Sequence, residues 1–274
     1  MSLPTISILT PTFNRRHSFK LAIENFYAID YPQLKLEWII VDDGTDSIKD
    51  MLPNESRIKY FYIDDEKKKV LYNEMINKLD KNKNNKKNKN KLLKYHRNFF
   101  HHNRLPLGLK RNLCNKYASN KIRMHMDDDD YYPKLSIQTR LNGLKHKDIE
   151  CVFCTTIPNF DINQFKSIIN NAGDRIPMEK GLSVNTMAYT IEFWKNQYFN
   201  DQDLAFEGIN FIKGRSRFCK VIDYREVIVG LVHRTNFSNR IKMPDGKANG
   251  WAFNKVSDNL FLKMTSMDDN FFKK

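Results

Sequence analysis

The sequence predicts an α/β fold built on one mostly parallel sheet flanked by helices, and three observations carry that expectation. Short apolar runs alternate with helical patterns through residues 5–133. Two of those runs end in acids, at Asp42-Asp43 and at Asp127 to Asp130. No internal repeat interrupts the alternation.

The elements follow in order. "TISILT" (5–10) reads as a short buried strand that Pro11 ends. "RRHSFKLAIENFYAI" sets Phe19, Ile23, Phe26 and Tyr27 at helical spacing, with Ser18 as the N-cap. "LEWIIVDDGT" is a second strand that runs into two acids and a glycine, and "IKYFYI" (58–63) is a third. A Lys/Asn-rich insertion over about 65–104 comes next. "LGLKRNLCNKYASN" then brings Leu109, Leu113 and Tyr117 onto one helical face, and "KIRMHM" is a strand that delivers four aspartates. Ligands of open α/β sheets bind outside the carboxyl ends of the strands, so both acid sets are expected on one edge.

The second half is less regular. The patterns predict a helix over 135–147, a strand over 149–157 and a strand passing into a helix over 185–199. A helix over 204–214 and a strand-rich stretch over 219–233 follow. A polar loop (238–250) and a closing helix in "FNKVSDNLFLKM" complete the chain.

The 274 residues are 41% hydrophobic and 12% aromatic, which suffices for one domain with a sizeable core. No window approaches the ~18 consecutive apolar residues of a membrane span, and "MSLPTISILTPTFNRR" lacks the basic leader and cleavage site of a signal peptide. The expectation is a soluble, cytoplasmic protein. The Lys and Asn usage suits an AT-rich genome, which for a viral chain means host cytoplasm or virion.

Cys151 and Cys154 form a C-x-x-C, but residues three apart on a strand point to opposite faces. With Cys114 and Cys219 they read as ordinary buried thiols. The net charge of +14 is concentrated. Residues 66–94 hold eleven lysines against three acids, and their polar centre has no aromatic residues to stack bases. That segment reads as a solvated, mobile insertion, and nucleic acid is not the expected partner.

The four aspartates of "RMHMDDDDYYP" raise a choice between a solvated acidic loop and a cation site. Side by side they raise one another's pKa, and a cation relieves the repulsion. Mg²⁺ and Mn²⁺ take oxygen ligands, one or two of them carboxylates, with substrate phosphates and water completing the shell. Asp-x-Asp at a strand end presents such carboxylates on one side. Asp127/Asp129 and Asp128/Asp130 satisfy that spacing equally.

Four segments together resemble family 2 inverting glycosyltransferases of the GT-A type: "ISILTPTFNRR", "EWIIVDDGT", "LGLKRNLCNKYASNKIRMHMDDDDYYP" and "FEGINF". The first three lie in the family's order. The resemblance implies a Rossmann-like GT-A domain over 1–274, with a nucleotide-sugar half (1–133) and a less regular acceptor half (134–274). It implies Mn²⁺ or Mg²⁺ as cofactor, a UDP-linked sugar as donor, and a glycan, protein or small-molecule acceptor.

It also implies residue roles. Pro11, Phe13 and Asp43, with Asp42 competing, form the base and ribose pocket. Arg111 contacts nucleotide or phosphate, with a solvent-facing arginine as the alternative. Asp127 binds ribose or donor sugar and, with Asp129, the metal, or Asp128 and Asp130 do so in the shifted register. His233 is a further metal ligand or a structural histidine. The general base is Glu207, but the family's second acid is replaced by Gly208, which leaves Asp203 and Asp201 as runners-up. Arg240 and Lys242 belong to a loop that folds over the diphosphate or stays solvated, and Trp251 stacks on an acceptor sugar. Trp194 and Tyr189 serve the wall or core.

Three other classes compete. A nucleotidyltransferase shares such a sheet, but "TPTFNRR" lacks its Gly-rich loop. A nucleic-acid binder would rest on the Lys/Asn segment, and a degenerate transferase would bind nucleotide sugar without turnover.

Overall fold

The computed structural model describes residues 2–80, 99, 101–162, 166–171 and 177–233. A seven-stranded sheet runs through them in the order β3-β2-β1-β4-β8-β5-β9. Its strands are β1 (Ile6–Thr12), β2 (Leu36–Asp42), β3 (Ile58–Tyr62), β4 (Ile122–His125), β5 (Cys151–Cys154), β8 (Ser183–Thr190) and β9 (Cys219–Val221). A smaller sheet, β10-β6-β7, joins β6 (Thr156–Asp161), β7 (Lys166–Asn171) and β10 (Gly230–Val232). β1 pairs in parallel with β2 and β4, and β2 with β3. β8 alone reverses direction in the larger sheet, antiparallel to β4 and β5. The predicted α/β class with a mostly parallel sheet is the observed one.

Seven α-helices with described bounds accompany the strands. They are α1 (Phe19–Ala28), α2 (Asp65–Asp80), α3 (Leu107–Tyr117), α4 (Ser136–Leu144), α5 (Met178–Gly181), α6 (Ile191–Asn196) and α7 (Glu207–Ile212). The near-continuous apolar strands bury both sheet faces, as a parallel sheet requires. Ile6, Ile8, Trp38, Ile40 and Met124 pack on one face with Phe19 and Phe26 of α1 and Ile137 of α4. Leu9, Ile39 and Val41 pack on the other with Tyr72 and Met75 of α2 and Leu109 and Leu113 of α3.

Several expectations need correction. Pro11 does not end β1 but pairs with Val41 within it. The Leu9 carbonyl accepts from Met126 N (3.1 Å), so by alternation Pro11 faces the β4 side. The β1–β4 register ends at Leu9 and His125, so no ladder bond is lost to the missing N–H. Ser18 stands at the N-cap of α1 but makes no side-chain cap bond; its hydroxyl donates to the Arg15 carbonyl at 3.2 Å. The predicted strand over 149–157 is two strands, which part at Thr155 to join different sheets.

The largest correction concerns the basic insertion. Its first part is the helix α2, with Tyr72, Met75 and the Lys68 side chain buried. Tyr72 stacks on Phe99 with ring centroids 4.1 Å apart. Four apolar residues, Leu71, Tyr72, Met75 and Ile76, recur at helical spacing amid the lysines, and the charge obscures them. Residues 81–98 lie outside the described residues, as do Arg240, Lys242, Trp251, the 238–250 loop and the closing helix.

The C-x-x-C behaves as expected. Cys154 packs in the cluster with Trp38 and Cys151 in the separate cluster with Tyr189 and Phe211, on opposite faces of β5. All four cysteines are free and buried. No described helix is long and apolar enough to cross a membrane.

Candidate active site at the carboxyl edge of the sheet

Because β1, β2 and β4 are parallel, their carboxyl ends emerge together, and Asp42, Asp43 and the Asp127–Asp130 run share that edge. Two turns shape it. Asn14 adopts a left-handed conformation (φ 52°), which Asn tolerates better than most residues. Its Oδ1 accepts from Thr45 N at 2.7 Å and Asp46 N at 3.3 Å, stitching the "PTFN" turn to "DDGT". A Cβ on Gly44 would lie 2.6 Å from that same Oδ1, so the close approach needs glycine.

Asp42 and Asp43 are fully committed to the protein. Asp42 accepts from Gly44 N (2.8 Å) through Oδ1 and from the Tyr60 hydroxyl (2.7 Å) through Oδ2. Asp43 accepts from Leu105 N and from Lys110 Nζ, each at 2.7 Å. Lys110 is itself buried, and desolvation lowers its pKa against the opposing pull of Asp43. Phe13, half-buried beside them, carries the Arg104 guanidinium 4.9 Å from its ring centroid.

α3 delivers two cations to two places. Adjacent helical residues point ~100° apart, so Lys110 reaches the β2 end while Arg111 reaches the β4 end. Arg111 is 2% exposed, not solvent-facing. Its Nη1 and Nη2 fork onto Asp127 Oδ1 and Oδ2 at 3.1 and 3.3 Å, and its Nε donates to Glu207 Oε1 at 2.6 Å. Burial pulls its pKa down, but Asp127 and Glu207 together hold it above the ordinary arginine value. Gly108 permits this placement: a Cβ there would meet the Asn200 carbonyl oxygen at 2.1 Å, where α3 begins against the 200–203 loop.

Arg111 also donates to His125 Nδ1 (3.0 Å). Arginine cannot accept, so Nδ1 is the acceptor and Nε2 carries the proton toward the Tyr189 hydroxyl at 2.8 Å. Burial, then Arg111 and Arg140, lower the His125 pKa well below the usual value and keep the ring neutral. Tyr189 belongs to the core, and Trp194 lies in its wall, donating to Asn112 Oδ1 at 3.1 Å.

The four consecutive aspartates have four different environments. Asp127 faces Arg111. Asp128 places Oδ1 3.8 Å from Arg15 Nε, while its Oδ2 is buried beside the Thr12 hydroxyl, which helps hold the charge but does not meet it in full hydrogen-bond geometry. Burial drives the Asp128 pKa up to about 7 despite Arg15. Asp129 Oδ2 lies 3.1 Å from Arg15 Nη2 and 3.4 Å from His233 Nε2. Asp130 is an anchor: Oδ1 accepts from Leu231 N (3.1 Å), Oδ2 from Asn185 Nδ2 (2.5 Å), and its carbonyl from Asn25 Nδ2 (2.8 Å).

The structure thus brings together Asp127, Arg111 and Glu207, and beside them Asp128, Asp129 and His233. Asp203 and Asp201 do not join either group. Asp203 is held by Asn200 and Asn210, and Asp201 by Asn112 and Lys78. Sequence reasoning missed Arg15, Lys110, His125 and Thr12. The adjacency of Lys110 to Arg111 and of Arg15 to the Asn14 turn were available signals; the pairing across strands was not.

No three His, Cys, Asp or Glu side chains among the described residues form a closed cation cage. Mn²⁺ and Mg²⁺ do not need one, because substrate phosphates supply part of their shell. The buried inner oxygen of Asp128 and the adjacent oxygen–nitrogen pair of Asp129 and His233 are donors of the right chemistry. A hollow of about 390 Å³ also flanks the Asn14 turn, lined by Asn14, Arg16, His17, Lys20, Asp46 and Met51. It contains none of the β4-end carboxylates.

No protein-family model matches this chain, and no curated protein matches its sequence. Solved structures do match its coordinates. The mannosyltransferase PcManGT from Pyrobaculum calidifontis, in complex with GDP-Man and Mn²⁺, superposes with a TM-score of 0.54 at 15% identity, covering 96% of this chain and 70% of its own. The fold is of the GT-A type. S. aureus TarS residues 1–349 with UDP-GlcNAc match at 0.53 and 15% identity, over 85% of this chain and 60% of that one. Glucosyl-3-phosphoglycerate synthase from Mycobacterium tuberculosis, in complex with phosphoglyceric acid, matches at 0.50 and 12% identity, over 97% and 81%. This GT-A-type chain therefore spans about three fifths of the length of the TarS chain.

Proposed function

We propose that the chain is a metal-dependent, inverting glycosyltransferase of family 2 type, moving a hexose from a UDP-linked sugar to an acceptor hydroxyl. The observation that carries this reading is the buried bridge in which Arg111 joins Asp127 to Glu207 at the carboxyl edge of the sheet. Donor-side and acceptor-side carboxylates are thereby fixed to one guanidinium. The likeness to GT-A enzymes solved with nucleotide sugars supports the donor class.

In this reading the Asn14 turn, Pro11 and Phe13 border the nucleoside, and Asp42 and Asp43 hold the pocket's walls through their own backbone and side-chain bonds. Asp127 orients a ribose or donor-sugar hydroxyl. Asp129 and His233, with Asp128 beside them, hold Mn²⁺ or Mg²⁺. When bound, the cation neutralises charge on the leaving diphosphate.

The reaction is one displacement. The acceptor oxygen bonds to the anomeric carbon as the carbon–oxygen bond to UDP breaks, and UDP leaves with the electron pair. The acceptor proton passes to Glu207. Arg111 occupies Oε1 of Glu207, and no other bond to that carboxylate is made among the described residues, which leaves Oε2 to receive the proton. No enzymic nucleophile is needed.

A panel of nucleotide sugars incubated with Mn²⁺ and no acceptor tests the reading. Slow release of UDP from one UDP-sugar is expected. Glu207→Gln should lower transfer by about 10²-fold or more while UDP affinity stays within about twofold. Absence of turnover with every donor would leave a binding protein, and full activity in Glu207→Gln would move the base to Asp203 or Asp201.

A further inference from the structure

Resting on the cation assignment above, we infer that Arg15 occupies the cation's electrostatic position in the metal-free protein and must be displaced for Mn²⁺ or Mg²⁺ to bind. The guanidinium reaches the two carboxylates nearest His233: Asp129 at 3.1 Å through Nη2 and Asp128 at 3.8 Å through Nε. The side chain is only 11% exposed. Burial opposes its charge, but Asp129 and Asp128 outweigh that and hold it cationic.

The neighbouring charges show why a cation is wanted there. Arg111 is taken by Asp127 and Glu207, and Lys110 by Asp43. Arg15 meets Asp128 and Asp129 directly, and the half-buried Arg104 also feels their charge. Arg15 does not reach the inner oxygen of Asp128, which is buried beside the Thr12 hydroxyl; both side chains are more than nine-tenths buried. An arginine fork is planar and reaches one side of a carboxylate pair. A small divalent ion can gather oxygens from several directions at about 2.1 Å. Arginine and cation share Asp129 Oδ2, and like charges so close repel, so occupancy is exclusive.

This coupling sets the metal affinity of the free protein below what its carboxylates alone would give. Arg15 acts on the cation through Asp128 and Asp129 and is a positioning residue.

Titration with Mn²⁺ alone, following the free-ion signal by electron paramagnetic resonance, tests the inference on the full chain. Arg15→Gln should bind Mn²⁺ about tenfold more tightly than wild type, the scale of removing one adjacent charge. Arg15→Lys keeps the charge and should stay near wild type. Adding Asp129→Asn to Arg15→Gln should abolish the gain, which ties it to this site. Equal or weaker Mn²⁺ affinity in Arg15→Gln, with a folded circular dichroism spectrum, overturns the inference even if the wild type hydrolyses UDP-sugar. A tenfold gain in a chain that hydrolyses no nucleotide sugar upholds the inference and removes the transferase reading instead.

Discussion

Two strand ends on the same sheet edge carry acids, and they differ in what those acids do. At the end of β2, all four carboxylate oxygens of Asp42 and Asp43 accept bonds from the protein. At the end of β4, Asp130 is closed by Asn185 and Leu231, and Asp127 by the Arg111 fork. Asp127, Asp128 and Asp129 face cations supplied by Arg111 and Arg15, and one buried Asp128 oxygen meets no described group in full hydrogen-bond geometry. The first end is scaffold, and the second is where the proposed function places the ligand. Sheet position is the same at both; the unsaturated oxygen of Asp128 separates them.

The largest effect that would break this contrast lies at the closed end. Asp43→Ala strands a buried Lys110 and the Leu105 amide, and should cost about 3 kcal/mol of stability in urea denaturation. A loss below about 1 kcal/mol would mean that Asp43 is not a structural ion-pair partner. Mn²⁺ affinity of whatever remains folded should be unchanged.

A smaller effect sharpens the contrast from the opposite end of β2. Buried Glu37 accepts from Ser119 and Lys59 and from the Ser7 hydroxyl. Burial raises its pKa, but Lys59, Ser119 and Ser7 outweigh it and hold the pKa at about 2. A depressed carboxylate stabilises the fold fully above its unfolded pKa of ~4.3 and loses that contribution as pH falls toward 2. The loss of stability between about pH 4.5 and 2 should be shallower in Glu37→Gln. An unchanged slope would place the acid sensitivity elsewhere.

Much of this edge was legible in the sequence, because period and order carry sheet topology. The apolar runs ending in "VDD" and "MDDDD" were enough to place both acid sets together, and the C-x-x-C spacing was enough to split its thiols between faces. Partner choice was not legible. Nothing local distinguishes Asp130, which Leu231 claims from 101 residues away, from Asp129, which does not meet it. Arg111 could be read as exposed because burial of a helical arginine depends on which strand end lies beneath it. The helix α2 was hidden for a different reason: lysine-rich composition masked a four-residue apolar stripe that only packing against Leu105 and Leu109 reveals.

Calorimetry with UDP tests the central claim most directly, comparing Mn²⁺ with EDTA in wild type and in Asp129→Asn. The account predicts binding with Mn²⁺ that disappears in EDTA and disappears in Asp129→Asn, with a circular dichroism spectrum showing that the variant is folded. Equal UDP binding in EDTA, or a metal dependence that survives in Asp129→Asn, would contradict it.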